Sequence, residues 1–197
     1  MPSVRVTSPI AAIIAAYFVV AGLTSPASAA EFHAVAIGDS VMLGAKSQLL
    51  KAGFDRVDAK VSRQASTGPG LVKKLAASPD VQFVVIHLGT NGSYSVDMCR
   101  DMVRAAGSDR TVLLINLKVP RKWEVTNNKL MKQCAQGFSA SRVQILDWNS
   151  IAQTKDSYLY SDGMHLTPVG AKKCTRMITS AIKKTITWQG RVTPGTR

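Results

Sequence analysis

Several kinds of chemistry lack their materials in this sequence. Only three cysteines occur, Cys99, Cys134 and Cys174, and no two stand in a Cys-x-x-Cys spacing. That excludes zinc-finger and thioredoxin-like sites, and the odd count leaves at least one thiol unpaired within a monomer. Internal repeats and low-complexity blocks are absent, so solenoid and disordered architectures are excluded as well. Acidic residues are scarce: 12 Asp and Glu stand against 25 Lys and Arg, a formal charge of +13. Aromatic residues make up 6%, and no basic run is interleaved with them, so no nucleic-acid partner is expected. The cations are spread along helical segments and the tail. An anionic envelope polymer is the partner they suit, with plain solubility as the alternative. The one long apolar run, Ile10 to Leu23, is too short to cross a bilayer comfortably.

That run belongs to a leader. Arg5 precedes it, Ser25-Pro26 breaks it, and Ala27-Ser28-Ala29-Ala30 offers small residues for cleavage. Residues 1–30 are expected to be a signal peptide, with an uncleaved N-terminal anchor as the alternative. Residues 31–186 are expected to form one domain and residues 187–197 a flexible basic tail. An exported, periplasmic or cell-envelope location follows. It also permits a disulfide.

The remaining segments alternate between short apolar runs and amphipathic stretches. Strands are expected at Ala34 to Ile37, Asp58 to Val61, Val81 to Leu88, Thr111 to Leu117 and Val143 to Leu146. Helices are expected at Ser40 to Gly53, Leu71 to Ala77, Val96 to Ala106 and Glu124 to Phe138, and in a last helix that Thr167 caps and Pro168 begins. Five strand–helix alternations predict a single doubly wound α/β domain. Its parallel five-stranded sheet has the order 2-1-3-4-5 and helices on both faces, a flavodoxin-like arrangement. In that order the first and third strands are neighbours at the switch point. Right-handed crossovers then put the helices of Cys99 and Cys134 side by side on one face, with Cys174 on the other. A Cys99–Cys134 disulfide is expected, and three buried thiols are the alternative.

Three stretches carry candidate chemistry. Gly38-Asp39-Ser40 follows the first strand and lifts a hydroxyl to a helix N-terminus at the sheet edge. Gly89-Thr90-Asn91-Gly92 follows the third strand and offers a side-chain amide to an oxyanion. Asp162-Gly163-Met164-His165 lies before the last helix and sets an imidazole beside a carboxylate that can hold its tautomer. Of the other histidines, His33 reads as a strand-entry surface residue and His87 as a core residue. Each stretch also has an ordinary turn reading.

Together the three stretches resemble the SGNH hydrolase family, in the family's order and across nearly all of the chain after the leader. They are most similar to the SGNH domain attached to membrane acyltransferases of the peptidoglycan O-acetyltransferase type, a similarity that also includes Asp147-Trp148. The resemblance implies Ser40 as nucleophile, His165 as base and Asp162 as its orienting carboxylate. It implies an oxyanion hole from the Ser40 N–H, the Asn91 amide and the N–H of Ser62, where the family usually has glycine. It implies no metal and no organic cofactor. The expected function is a serine esterase or O-acyltransferase that works through an acyl-serine, on an acylated envelope glycan or a small ester. A separate membrane acyltransferase is an expected partner. A non-catalytic envelope-binding domain on the same fold is the competing reading, against which stands the full Ser40, Asp162 and His165 set.

Overall fold

Short runs of β-branched and aliphatic residues, buried on both faces, set the centre of the molecule. A computed structural model describes residues 32–192. The expected signal peptide lies outside these residues. Five strands, β1 (Ala34–Gly38), β2 (Arg56–Ala59), β3 (Phe83–His87), β4 (Thr111–Ile115) and β5 (Val143–Leu146), form one parallel sheet in the order 2-1-3-4-5. β1, β3 and β4 are buried at every position, as strands covered on both faces must be.

Alternate residues of each strand supply two cores. Val35, Ile37, Val84, Ile86, Val112 and Leu114 point to one face. There they meet α2 (Gly68–Leu75), α3 (Val96–Ala105) and α4 (Glu124–Ala135) through Val72, Met102, Val103 and Met131. Ala34, Ala36, Phe83, Val85, Leu113 and Ile115 point to the other face. They meet α1 (Ser40–Lys51) and α6 (Pro168–Val192) through Met42, Leu49, Ile178 and Ile182. Leu49, Ile178 and Ile182 have no exposed surface, and each such burial stabilises the fold by about 1.5–3 kcal/mol. A short helix, α5 (Trp148–Ala152), anchors the loop after β5, with Asp147 as its N-cap and Trp148 fully buried.

Some boundaries differ from the sequence reading. β2 begins two residues before the expected start and ends before Lys60 and Val61, because the chain turns at Lys60 to reach Ser62. α2 begins at Gly68, since Pro69 sits in its first turn, where a missing N–H breaks no helix hydrogen bond. α5 was not legible in the sequence. α6 runs on to Val192, into the stretch expected to be a loose tail. Just before that stretch, Thr185 is buried and accepts a hydrogen bond from Gln144 Nε2 on the sheet edge.

Cys99 on α3 and Cys134 on α4 are joined in a disulfide, and Cys174 on α6 is a buried free thiol. Burial pushes the Cys174 thiol up to about 12. Non-reducing peptide mapping should recover the Cys99–Cys134 pair, and Cys174 should resist alkylation until the protein is denatured. The paired Cys99→Ala, Cys134→Ala variant should lose about 2–4 kcal/mol in denaturant unfolding. Three alkylatable thiols in the native protein would contradict this arrangement.

Candidate active site

Residues at the carboxyl ends of β1, β2 and β3 form one edge of the sheet. Gly38 pairs with Ala59 on one side and His87 on the other. The turn that follows is tight. A Cβ on Gly38 would stand 2.1 Å from the Met42 Cβ and 3.1 Å from the His87 carbonyl oxygen, so no other residue allows α1 to start here. Asp39 caps α1 by accepting from the Val41 N–H at 3.0 Å. Ser40 is thereby the first helical residue, and its N–H is one of the first-turn donors that no helix carbonyl can satisfy.

His165 reaches this turn from the far end of the chain. Its Nε2 is 2.9 Å from Ser40 Oγ, and its Nδ1 is 2.6 Å from Asp162 Oδ2. An ionised carboxylate only accepts, so the Nδ1 carries a proton and the Nε2 of the neutral ring accepts from the serine hydroxyl. The Asp-x-x-His spacing works because the loop folds on its own carboxylate. Asp162 Oδ1 accepts from the N–H groups of Met164 and His165, both at 2.9 Å, and Gly163 takes a φ of +67° between them. Burial pushes the Asp162 carboxyl upward, but the His165 ring and these two N–H groups outweigh it and hold it at about 2.

Asn91 sits on a loop that is pinned from two sides. Its Nδ2 donates to the Arg63 carbonyl at 3.2 Å, which leaves the second amide hydrogen for a ligand. From α4, Asn127 Nδ2 donates to the carbonyls of Gly89 and Gly92 at 3.0 and 2.8 Å, and the Trp123 indole donates to the Thr90 carbonyl at 3.2 Å. Arg63 ties the opposite side together: its guanidinium donates to the carbonyls of Gly38 and Asp58 and to the Asp58 carboxylate. Ser62 precedes it with a φ of +56°, the one non-glycine residue with positive φ among the described residues. That left-handed backbone is the conformation in which glycine is usual.

Beneath the turn the side chains of His87 and Asp39 lie together. His87 Nδ1 stands 3.6 Å from Asp39 Oδ1, and both side chains are almost wholly buried. Burial opposes ionisation of Asp39, but the favourable interaction with His87, aided by Thr90 and the Val41 N–H, holds its carboxyl below the usual range. His87 is thus a core residue, and His33 pairs at the surface with Asp55. Sequence reasoning missed Arg63, Asn127 and Trp123. A polar asparagine on the inward side of α4 was the one available signal.

Beside Ser40 and His165 opens a hollow of about 570 Å³, walled by Leu43, Val61, Tyr160, Leu166 and Pro168. A larger one of about 630 Å³ lies between β5 and α6 and includes neither Ser40 nor His165. Among the described residues, no group of three or more His, Cys, Asp or Glu is gathered to hold a metal ion, and no helix is long and apolar enough to cross a membrane.

No family model matches the chain. A peptidoglycan O-acetyltransferase, OatA of Listeria monocytogenes, is 34% identical over an alignment of 155 residues that covers 76% of this chain and 24% of that protein. The chain spans about a quarter of the length of the curated relatives it matches. Among solved structures, the C-terminal catalytic domain of the Streptococcus pneumoniae peptidoglycan O-acetyltransferase A, with a methylsulfonyl adduct, superposes with a TM-score of 0.66 at 22% identity. The match covers 78% of this chain and 94% of that one. A GDSL-like lipase of Bacteroides thetaiotaomicron gives 0.61 at 17% identity, over 78% and 89% of the two chains. At these identities the two structures share the fold.

Two expectations follow from the geometry. Asp162 should titrate near 2 by carboxyl NMR, and in His165→Ala its midpoint should rise toward the ordinary range of about 4. Because the folded value lies below the unfolded one, its contribution to stability is present above about pH 4 and is lost as pH falls through about 2. Its side chain is 45% exposed, so solvent keeps that contribution small. An unshifted midpoint in the parent protein would contradict the ion pair. Separately, Ser62→Gly should raise stability by up to about 1 kcal/mol in a thermal melt, and esterase turnover should persist because the N–H is kept. Loss of turnover would make the Ser62 side chain the functional group.

Proposed function

We propose that the chain, similar in sequence to peptidoglycan O-acetyltransferases and in fold to GDSL-like hydrolases, is an SGNH-type extracytoplasmic serine O-acyltransferase or esterase. It moves or removes a small acyl group, acetyl by preference, on an envelope glycan. The observation that carries this reading is the continuous hydrogen-bonded chain from Ser40 Oγ through His165 to Asp162. A serine hydroxyl is a poor nucleophile until a base takes its proton, and this chain supplies the base in the correct tautomer.

In the proposed reaction, Ser40 Oγ attacks the ester carbonyl as its proton passes to His165 Nε2. The negative charge that forms on the carbonyl oxygen is met by the Ser40 N–H, the Asn91 amide and the Ser62 N–H. Asp162 stays ionised and stabilises the imidazolium. Collapse of the tetrahedral species breaks the ester bond, and the leaving alkoxide takes the proton from His165. The acetyl group is left on Ser40. A sugar hydroxyl or water then gives its proton to His165, attacks the acetyl-serine and frees Ser40. A sugar acceptor gives transfer and water gives hydrolysis. Neither half-reaction as written calls on a metal or organic cofactor. The acyl donor is proposed to come through a separate membrane acyltransferase. The glycan assignment rests on the names of the relatives, and the expected leader at residues 1–30 supports export.

Intact-mass spectrometry after incubation with p-nitrophenyl acetate should detect an acetyl adduct on Ser40. Ser40→Ala should fold normally and lose both adduct and turnover. Asn91→Ala should lower kcat by about 10²–10³, or about 3 kcal/mol of transition-state stabilisation, with little change in KM. A folded Ser40→Ala protein that keeps most of its esterase rate would refute the assignment.

A further inference from the structure

α1 and α6 both begin at the active-site edge, Ser40 on one and Pro168 on the other, and lie side by side over the same face of the sheet. Gly44 on α1 faces Leu166, two residues before α6 begins. Further along the two helices a second hollow, of about 350 Å³, adjoins the one at Ser40 through Gln48 and is lined by Lys51, Lys172, Thr175, Arg176 and Thr179. The two ends differ in chemistry. Near Ser40 the walls are apolar, with Leu43, Val61 and Tyr160 exposed. At the far end three cations face the second hollow and no acidic residue lines it. Among the described residues, Lys51, Lys172 and Arg176 have no ion-pair partner, and all three are exposed. α6 itself carries no Asp or Glu, and none follows Asp162 in the sequence.

Helix rise fixes the scale. Eight to eleven residues separate Ser40 from Gln48 and Lys51, which is roughly 12–17 Å along the axis at 1.5 Å per residue. An acetyl group and the sugar that carries it end within the apolar part. Only a longer chain reaches the cations.

We infer that the α1–α6 groove is an extended subsite for a carboxylate-bearing glycan chain. The acylated sugar sits on the apolar walls beside Ser40, and an anionic group further along the same chain sits on Lys51, Lys172 and Arg176. This rests on the proposed reaction for the identity of Ser40 as the reacting end, and it adds where on the fold the rest of a long anionic chain lies. Carboxylates on peptide-substituted glycan and phosphodiesters of other envelope polymers share the charge, and carboxylate is the source assigned here, because the relatives are named for acting on peptidoglycan.

Binding tested on the Ser40→Ala protein separates this inference from the reaction, because it needs no turnover. Isothermal titration should compare three soluble probes of equal length: a carboxylate-bearing peptidoglycan chain, a neutral chitooligosaccharide and a phosphodiester polymer. The carboxylate chain should bind best. Adding Lys51→Gln, Lys172→Gln and Arg176→Gln should weaken that binding about tenfold, as three exposed ion pairs allow, and should leave the neutral chain as it was. Raising the salt from about 50 to 300 mM should reproduce the loss. Equal affinity for charged and neutral chains, or no effect of the triple substitution in a protein with an unchanged melting temperature, overturns the subsite. Tighter binding of the phosphodiester overturns the carboxylate assignment. A parent protein without esterase activity would refute the reaction and leave the binding result to stand by itself.

Discussion

Where β1 and β3 lie side by side, the pairing of Gly38 with His87 brings two residues 49 positions apart in the chain to one point on the sheet edge. The rest of the site is built from that register. A parallel sheet delivers all its strands to the same edge, and the first residues beyond each strand have no ladder partner there. Beyond β1 the chain turns at once into α1, which is possible only because Gly38 has no Cβ to strike Met42. Beyond β3 it enters the Gly89–Gly92 loop. The Asp39 N–H donates to the His87 carbonyl at 3.2 Å, and the two side chains lie together beneath. A one-residue slip between these strands would reverse their buried faces. It would also part the serine turn from the asparagine loop.

The features legible in the sequence share a range of only a few residues. Strand, turn and helix at Ser40, the Asn91 turn and the self-folding Asp162 loop are written in neighbouring positions, and local steric and hydrogen-bond rules suffice to read them. The sheet order followed because strand–helix alternation leaves few topologies once crossovers must be right-handed. The long-range supports were not legible. Asn127 holds the loop of Asn91 from 35 and 38 residues away, and Arg63 closes the gap between β1 and β2. An asparagine inside a helix and an arginine in a loop have many uses, and only a folded chain selects one. The end of α6 failed for a related reason. Its last turns look polar and basic, but Thr185 meets Gln144 across the sheet edge, a contact no local pattern announces.

Charge shows the same division between local and global information. In the sequence the excess of lysine and arginine is spread over many segments and points to no particular surface. Folding sorts part of it. Lys51 stands on one helix and Lys172 and Arg176 on another, more than a hundred residues away in the chain, and they line one hollow. Their common placement follows from the same crossover geometry that puts α1 and α6 on one face, so the cationic groove and the serine turn have a single structural origin.

The openness of the site bears on the choice between transfer and hydrolysis. Asp162 and His165 keep 45% and 37% of their side-chain surface exposed, and three of the side chains that bound the hollow beside them, Leu43, Val61 and Tyr160, are exposed as well. An acetyl-serine formed there, as proposed, would be within reach of water. Fixed walls do not exclude it, so what competes with water is occupancy. An acceptor sugar lying on Leu43, Val61 and Tyr160 covers the apolar surface and displaces solvent from the approach to Ser40. A longer acceptor with more anchoring points stays in place longer, which raises the fraction of acyl groups that reach a sugar. In this fold the partition between the two outcomes is therefore a property of the substrate chain and the groove that receives it, because the hydrogen-bonded triad serves both equally.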